Sequence, residues 1–291
     1  METKTNSGAK KRVTPTQQVL KRLFKNKGAV IGLVIIVIMV ILAIISPWIM
    51  PYDYAQIDIP AKCQTPSAQH LLGTDHLGRD ILSRILYGGR ASLQIGIFSA
   101  LGAMALATII GSISGFFGGK VDNIMMRVLD IIQAMPGMLL SVVICAVLGN
   151  GLFETTVALM IGNMTSSARI MRGTVLTVRK SEYIDAAVVD NTGKLGIIWK
   201  HIVPNAFSPM IVQATMGCAH AILTAASLSF IGLGVQPPTP EWGAMLSEGR
   251  NFIRDFPHII TIPGIAIMLT VLALNLFGDG LRDALDPKQK R

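Results

Sequence analysis

Six stretches of the chain are predominantly apolar and nearly free of charge, at about 29–50, 93–117, 136–152, 155–171, 206–234 and 258–279. The first is the purest: Ala29 to Ile45 runs seventeen residues without a charged side chain. That is close to the ~20 residues an α-helix needs to cross the hydrocarbon of a bilayer. The pattern predicts six spanning helices in an all-α, polytopic membrane protein. Pro, Gly, Ser and Thr inside several spans fit this reading, because neighbours in a bundle re-satisfy freed backbone groups. The first run exceeds the h-region of a signal peptide (about 7–15 residues), and no small-x-small site follows it. It is expected to stay as an anchor. Upstream, Val19, Leu20, Leu23 and Phe24 share one helical face with Lys21, Arg22 and Lys25 around them, which suits a short helix on a lipid surface. Residues 1–14, polar and basic, are expected to be disordered.

Composition agrees with the pattern: 51% of residues are hydrophobic, only 15% are charged, and the mean hydropathy is +0.53. A net charge of +9 would point to nucleic acid in a soluble protein. Here the bases are sorted by loop instead, so no nucleic-acid partner is expected. With the N-terminus inside, the loops at 1–28, 118–135, 172–205 and 280–291, with Arg169 at a helix end, hold 20 of the 26 Lys and Arg. The segments 51–92 and 235–257 hold the other six. Lys and Arg concentrate on the cytoplasmic side, so both termini are expected there. The three cysteines cannot all pair, and Cys145 and Cys218 lie in apolar segments, where packed thiols are the simplest expectation.

Several look-alikes of active sites fail on chemistry. Gly115 to Lys120 resembles a phosphate loop, but Ser114 stands where that pattern needs Gly and Val121 where it needs Ser or Thr. Gly278-Asp279 is half of an intramembrane aspartyl protease, whose chemistry needs two facing carboxylates. No Asp or Glu sits in the middle of any predicted span, which also argues against an ion-coupled carrier. Energy must then come from a partner. Cys218 and His220 are two apart and do not face each other on a helix. His70, Asp75 and His76 could meet a metal only if something outside the sequence pattern fixed them. No catalytic residue and no metal ligand is assigned.

Residues 180–205 carry the most information. Ser181 is placed to cap a short helix through Ala187, and Asn191 and Gly193 both tolerate the left-handed backbone of a turn. A second amphipathic helix follows, with Leu195, Ile198, Trp199 and Ile202 on one face, ending near Pro204. This helix–turn–helix resembles the Glu-Ala-Ala loop of binding-protein-dependent ABC importer permeases. Asp185-Ala186-Ala187 matches its start and Pro204 its proline, with Asp185 in place of Glu and Asn191 in place of Gly. Gly73-Thr74-Asp75-His-Leu-Gly78-Arg79-Asp80-Ile-Leu-Ser83-Arg84 is similar to the outside segment of the C-type di- and oligopeptide permeases. Read from its residues, Ile81, Leu82, Ile85 and Leu86 beside Arg79 and Arg84 suit an interfacial helix. Ser227 to Gly243 is similar to that subfamily's fifth-span exit and outer loop, where Trp242 suits the membrane interface.

The resemblance implies a type I importer permease, non-catalytic, in the bacterial inner membrane. Its expected partners are a second homologous permease, two ATPases, an extracytoplasmic binding protein and membrane lipid. It implies no cofactor in this chain, with ATP and Mg held by the ATPases. Asp185, Ala186, Ala187, Asn191, Thr192, Gly193 and Pro204 would then couple to ATP hydrolysis. The expected layout is a basic tail with an amphipathic helix (1–28), an anchor (29–50), an external loop with an interfacial helix (51–92), a permease core (93–280) and a cytoplasmic tail (281–291). The core carries the coupling loop 180–205 and the external loop 235–257. Peptide is the favoured substrate, with nickel or a metal chelate as the alternative within transport, and a membrane enzyme or scaffold as alternatives outside it. Gln213, Gly217, His220, Thr224 and Ser227 recur at spacings of four and three along the fifth span. They form one polar and small stripe, which should face protein or water rather than lipid.

Overall fold

The computed structural model describes residues 15–286. The expectations for the disordered segment 1–14 and for the end of the tail beyond residue 286 lie outside the described residues. The elements are α1 (Pro15–Leu23), α2 (Lys27–Ile49), α3 (Ile81–Phe117), α4 (Gly119–Gln133), α5 (Gly137–Leu148), α6 (Leu152–Val178) and α7 (Glu182–Val189). The chain continues through α8 (Lys194–Gly196), a π-helical stretch (Ile197–Ile202), α9 (Val203–Ala206), α10 (Ser208–Phe230), α11 (Trp242–Gly249) and α12 (His258–Leu285). Among the described residues, the only β pairing is an isolated bridge between Thr74 and Asp80. The fold is all-helical.

The chain passes between the two ends of the bundle six times. One end carries the α7–α9 hairpin, the other the 51–80 loop and α11. At the hairpin end, Arg179 and Lys194 lie over the rings of Phe116 and Phe117, where α3 finishes. At the loop end, the Asn150 amide donates to the Gly232 carbonyl, joining the start of α6 to the end of α10. Six passes do not mean six apolar helices. Among the described residues, only α2, α3, α10 and α12 are both long and apolar enough to cross a bilayer, with α4 and α5, bent by 85°, counting as a fifth if taken as one span. The predicted third span is therefore corrected: α5 has 12 residues, about 18 Å of helix, too short to cross alone. The predicted loop 118–135 is the helix α4. The predicted fourth span is α6, long enough at 27 residues but not among the apolar spans. Its arginines are held by acids of α4, with Arg172 on Asp122 and Arg169 on Asp130 at 2.5 Å.

Glycine permits the closest helix contacts. A Cβ on Gly111 of α3 would lie 2.6 Å from the Ala168 carbonyl of α6, and one on Gly32 of α2 would lie 2.5 Å from the Ala273 carbonyl of α12. Small residues let backbones pack this tightly inside membranes, where burial of apolar surface drives little association. The apolar cores follow these contacts. One joins α2, α3, α10, α11 and α12 towards the loop end, and another joins α3, α6 and the hairpin. α1 folds back on α12 through Leu23, which packs with Ala29 and Ala284, leaving Leu20 and Phe24 exposed.

The interfacial helix expected between 51 and 92 does not exist as a separate element. Residues 81–86 are the opening turns of α3, and Ile81 and Arg84 are buried. Trp242 is likewise buried rather than at an interface, and its indole N–H donates to the Ile85 carbonyl at 3.0 Å. Cys63, Cys145 and Cys218 are free and buried.

Candidate functional site

Three features collect the residues singled out by the sequence. The first is the hairpin. α7 ends because Asp190 and Asn191 close it: the Asp190 N–H reaches the Ala186 carbonyl at 3.0 Å and the Thr192 N–H the Ala187 carbonyl at 3.2 Å. Asn191 between them has φ +56. That geometry is the left-handed helix stop usually made by Gly and second best by Asn, which gives the Asn191 substitution its physical sense. Gly193 has φ −57 and is not left-handed, so Asn191 alone bears the turn. Ser181 sits at the N-cap position without a side-chain hydrogen bond to the helix.

The return limb departs from the amphipathic helix expected. Residues 197–202 are π-helical, and the Val203 N–H reaches back five residues to the Ile198 carbonyl. Pro204 follows inside α9 rather than ending the helix. A proline lacks the N–H of an α-turn and its ring collides with the carbonyl four residues back. The wider π turn upstream avoids that clash, and such turns recur at functional sites. The wider turn also rotates the apolar face: Ile197, Ile198 and Ile202 are buried, while Leu195 and Trp199 are exposed. The two alanines of the motif point opposite ways as well. Ala187 packs with Ile184 in the core, whereas Asp185 and Ala186 are exposed.

The second feature is a groove along α10. Gln213, Gly217 and His220 face Gln133, Gly162 and Asn163 across a cavity of about 590 Å³. His220, Thr224 and Ser227 continue it past Ser141 and Asn163 in a further 300 Å³. The five stripe residues thus share one wall, with α5 and α6 opposite. Towards the hairpin end the groove meets Arg282 and Asp286, and towards the loop end it turns apolar at Leu223, Phe230 and Ile267. Sequence spacing identified the α10 wall. It could not identify Asn163 or Ser141, which lie on other helices.

The third feature is a weld at the loop end. Gly73 and Gly78 take φ +79 and +78, and a Cβ on Gly78 would fall 1.7 Å from the Asp58 carbonyl oxygen. These turns aim Asp75 inward. Its Oδ1 accepts from the Leu77 and Arg79 N–H groups, and its Oδ2 from Arg79 and Arg84 at 2.6 and 3.0 Å. Both arginines also donate to Glu248 on α11, at 2.6 and 2.9 Å. Asp80 caps α3 by accepting from the Ser83 N–H and hydroxyl, and faces the His70 ring at 3.0 Å. The Thr74 hydroxyl donates to the Ala61 carbonyl. The eight residues of the motif are therefore used in shaping the loop and in holding it to α3 and α11. Glu248 was invisible to sequence reasoning, being 164 positions from Arg84.

Asp75, His76 and Glu248 place ligand atoms within 4.8 Å of one another, yet both carboxylates already neutralise two guanidinium groups. A cation entering there would meet Arg79 and Arg84. Burial pushes the His76 imidazole below its ordinary value, and its ring stacks on Phe252.

Residues 107–291 match the family described as binding-protein-dependent transport system inner membrane component, and residues 14–66 match the N-terminal transmembrane domain of oligopeptide transport permease C. The chain is 45% identical to the dipeptide transport system permease protein DppC of Alkalihalophilus pseudofirmus, over 96% of this chain and 91% of that protein. It is 42% identical to the glutathione transport system permease protein GsiD of Pectobacterium atrosepticum, over 95% and 92% of the two chains. Among solved structures, an inward-facing form of the MetNI methionine ABC transporter shares the fold, with a TM-score of 0.58 at 16% identity, covering 70% of this chain and 97% of that one.

Proposed function

Because the chain belongs to the family of binding-protein-dependent transport system inner membrane components, a class of non-catalytic permeases, we propose that it forms half of the transmembrane pathway of an ATP-driven importer of di- or oligopeptides. A second homologous permease supplies the other half and two ATPases hold ATP and Mg. An extracytoplasmic binding protein delivers the peptide. The chain sits in the bacterial inner membrane with both termini cytoplasmic, as the distribution of Lys and Arg favours. The pathway runs along the α10 groove, where Gln213, Gly217, His220, Thr224 and Ser227 line one wall.

The observation that carries this reading is the hairpin. It presents Asp185 and Ala186 outward on a helix whose other face, Ile184 and Ala187, is fixed to the bundle. A small side chain beside one negative charge lets a partner surface approach closely and place a donor on Asp185. The fixed inner face carries the partner's movement into α3 and α6. Ala186→Glu tests it, since that side chain is exposed and its replacement leaves the protein's own packing intact. An unpaired charge buried at a docked surface costs ~3–5 kcal/mol, roughly a 10²–10³-fold loss of docking affinity. The variant should insert and pair with its permease partner, yet lose transport and binding-protein-stimulated ATPase activity in reconstituted vesicles. Near-normal transport would make the hairpin a passive connector.

A further inference from the structure

We infer that the middle of the α10 groove is a way station for the main-chain amides of an extended peptide, built from Asn163, Gln213 and His220 with the hydroxyls of Ser141 and Thr224. This inference rests on the importer reading above and names what the pathway recognises. Along the two stretches from Gln133 to Ser227, no lining residue is Asp, Glu, Lys or Arg. The lining is uncharged, apolar over much of its area, and its polar groups have a hydrogen-bonding capacity complementary to a peptide unit. The Asn163 amide nitrogen is buried without a partner, a donor that a buried site ordinarily satisfies. The hydroxyls have the opposite bias. Ser141 donates to the Gly137 carbonyl at 3.0 Å, Thr224 to the His220 carbonyl at 2.8 Å, and Ser227 to the Leu223 carbonyl at 3.0 Å. With their protons so directed, their oxygens are left as acceptors.

Every non-proline peptide unit offers one N–H and one carbonyl whatever its side chain. A wall of the Asn163 and Gln213 amides and several hydroxyl acceptors therefore reads only what peptides share. Met135, Met138 and Met216 are among the apolar lining residues, and such side chains reshape around dissimilar neighbours. A divalent ion such as nickel would call for carboxylates or several imidazoles, the methionine thioethers suiting softer ions, and His220 is the single imidazole, with no carboxylate, among the lining residues of both stretches.

The test uses the complete importer with its binding protein in proteoliposomes, and three probes of equal length: Ala-Ala-Ala, Ala-Glu-Ala and Ala-Lys-Ala. The unaltered assembly imports all three. Asn163→Leu lowers the maximal import rate of all three by a similar factor, about fivefold to tenfold for one lost hydrogen bond, and Asn163→Gln recovers most of it. Thr224→Asp sets a carboxylate in the neutral wall, so import of Ala-Lys-Ala rises relative to Ala-Glu-Ala by about tenfold. That ratio is taken within one preparation and is unaffected by the amount of folded protein. Undiminished import by Asn163→Leu, a loss confined to one probe, or an unchanged ratio in Thr224→Asp overturns the way station and leaves the importer reading standing. Failure of the unaltered assembly to import any probe overturns the importer reading, and the way station with it.

Discussion

Arg84 keeps none of its charge in water. Its side chain is 2% exposed and its guanidinium bridges Asp75 and Glu248. Removing one member of such a buried set leaves the others uncompensated, which typically costs ~3–5 kcal/mol. Arg84→Met is therefore expected to lower the melting temperature of the detergent-purified protein sharply. Adding Glu248→Gln to it should restore at least part of the loss, because one orphaned charge goes with it. Equal melting of the single and double variants would show that the four charges act independently. At this scale the sequence was legible where a residue's role is local. Asn191 could be read as a turn residue from its type, and it does take the left-handed backbone. Roles set by distant partners were not legible. The pattern of Ile81, Ile85 and Arg84 fits a lipid-surface helix as well as a buried one, and only Glu248 on α11 decides between them.

The contact between α3 and α6 shows the same division between elements. Hydropathy located both helices. It gave no sign that α6 tolerates its polar residues because Asp122 and Asp130 of α4 meet Arg172 and Arg169. Nor could it show that segment 118–135, polar enough to pass for a loop, is a helix turned 85° from α5. In the hairpin's return limb, a 3.6-residue period put Leu195 and Trp199 beside Ile198 and Ile202, and the π turn before Pro204 separates them. The α3–α6 contact itself depends on glycine. Gly111→Leu would drive side-chain atoms into the Ala168 carbonyl and the Arg172 N–H, and overpacking of this kind costs about 1–3 kcal/mol. The same change at Gly137, where nothing lies within 4 Å of an added Cβ, should cost far less. Comparable thermal melting of the two variants would refute the close approach as a source of stability.

For the whole molecule, the six passes put the 51–80 loop and the hairpin at opposite ends, so reporters fused after Pro66 and after Gly193 should fall on opposite sides of the membrane. The charge distribution predicts the first outside and the second inside, and a reversed pair would invert the proposed orientation. One dimension of the fold exceeds what a membrane requires. α3 runs unbroken for 37 residues, about 55 Å, against a hydrocarbon layer of ~30 Å. Its first turn is clamped through Arg84, Asp75 and Glu248, and its last lies under Arg179 and Lys194. A rod gripped at both tips has no joint in which motion can be absorbed. Between the tips it lies against α6 at Gly102, Gly111 and Gly115 and against α10 at Gly96, so a push on one tip can only be passed along to the other.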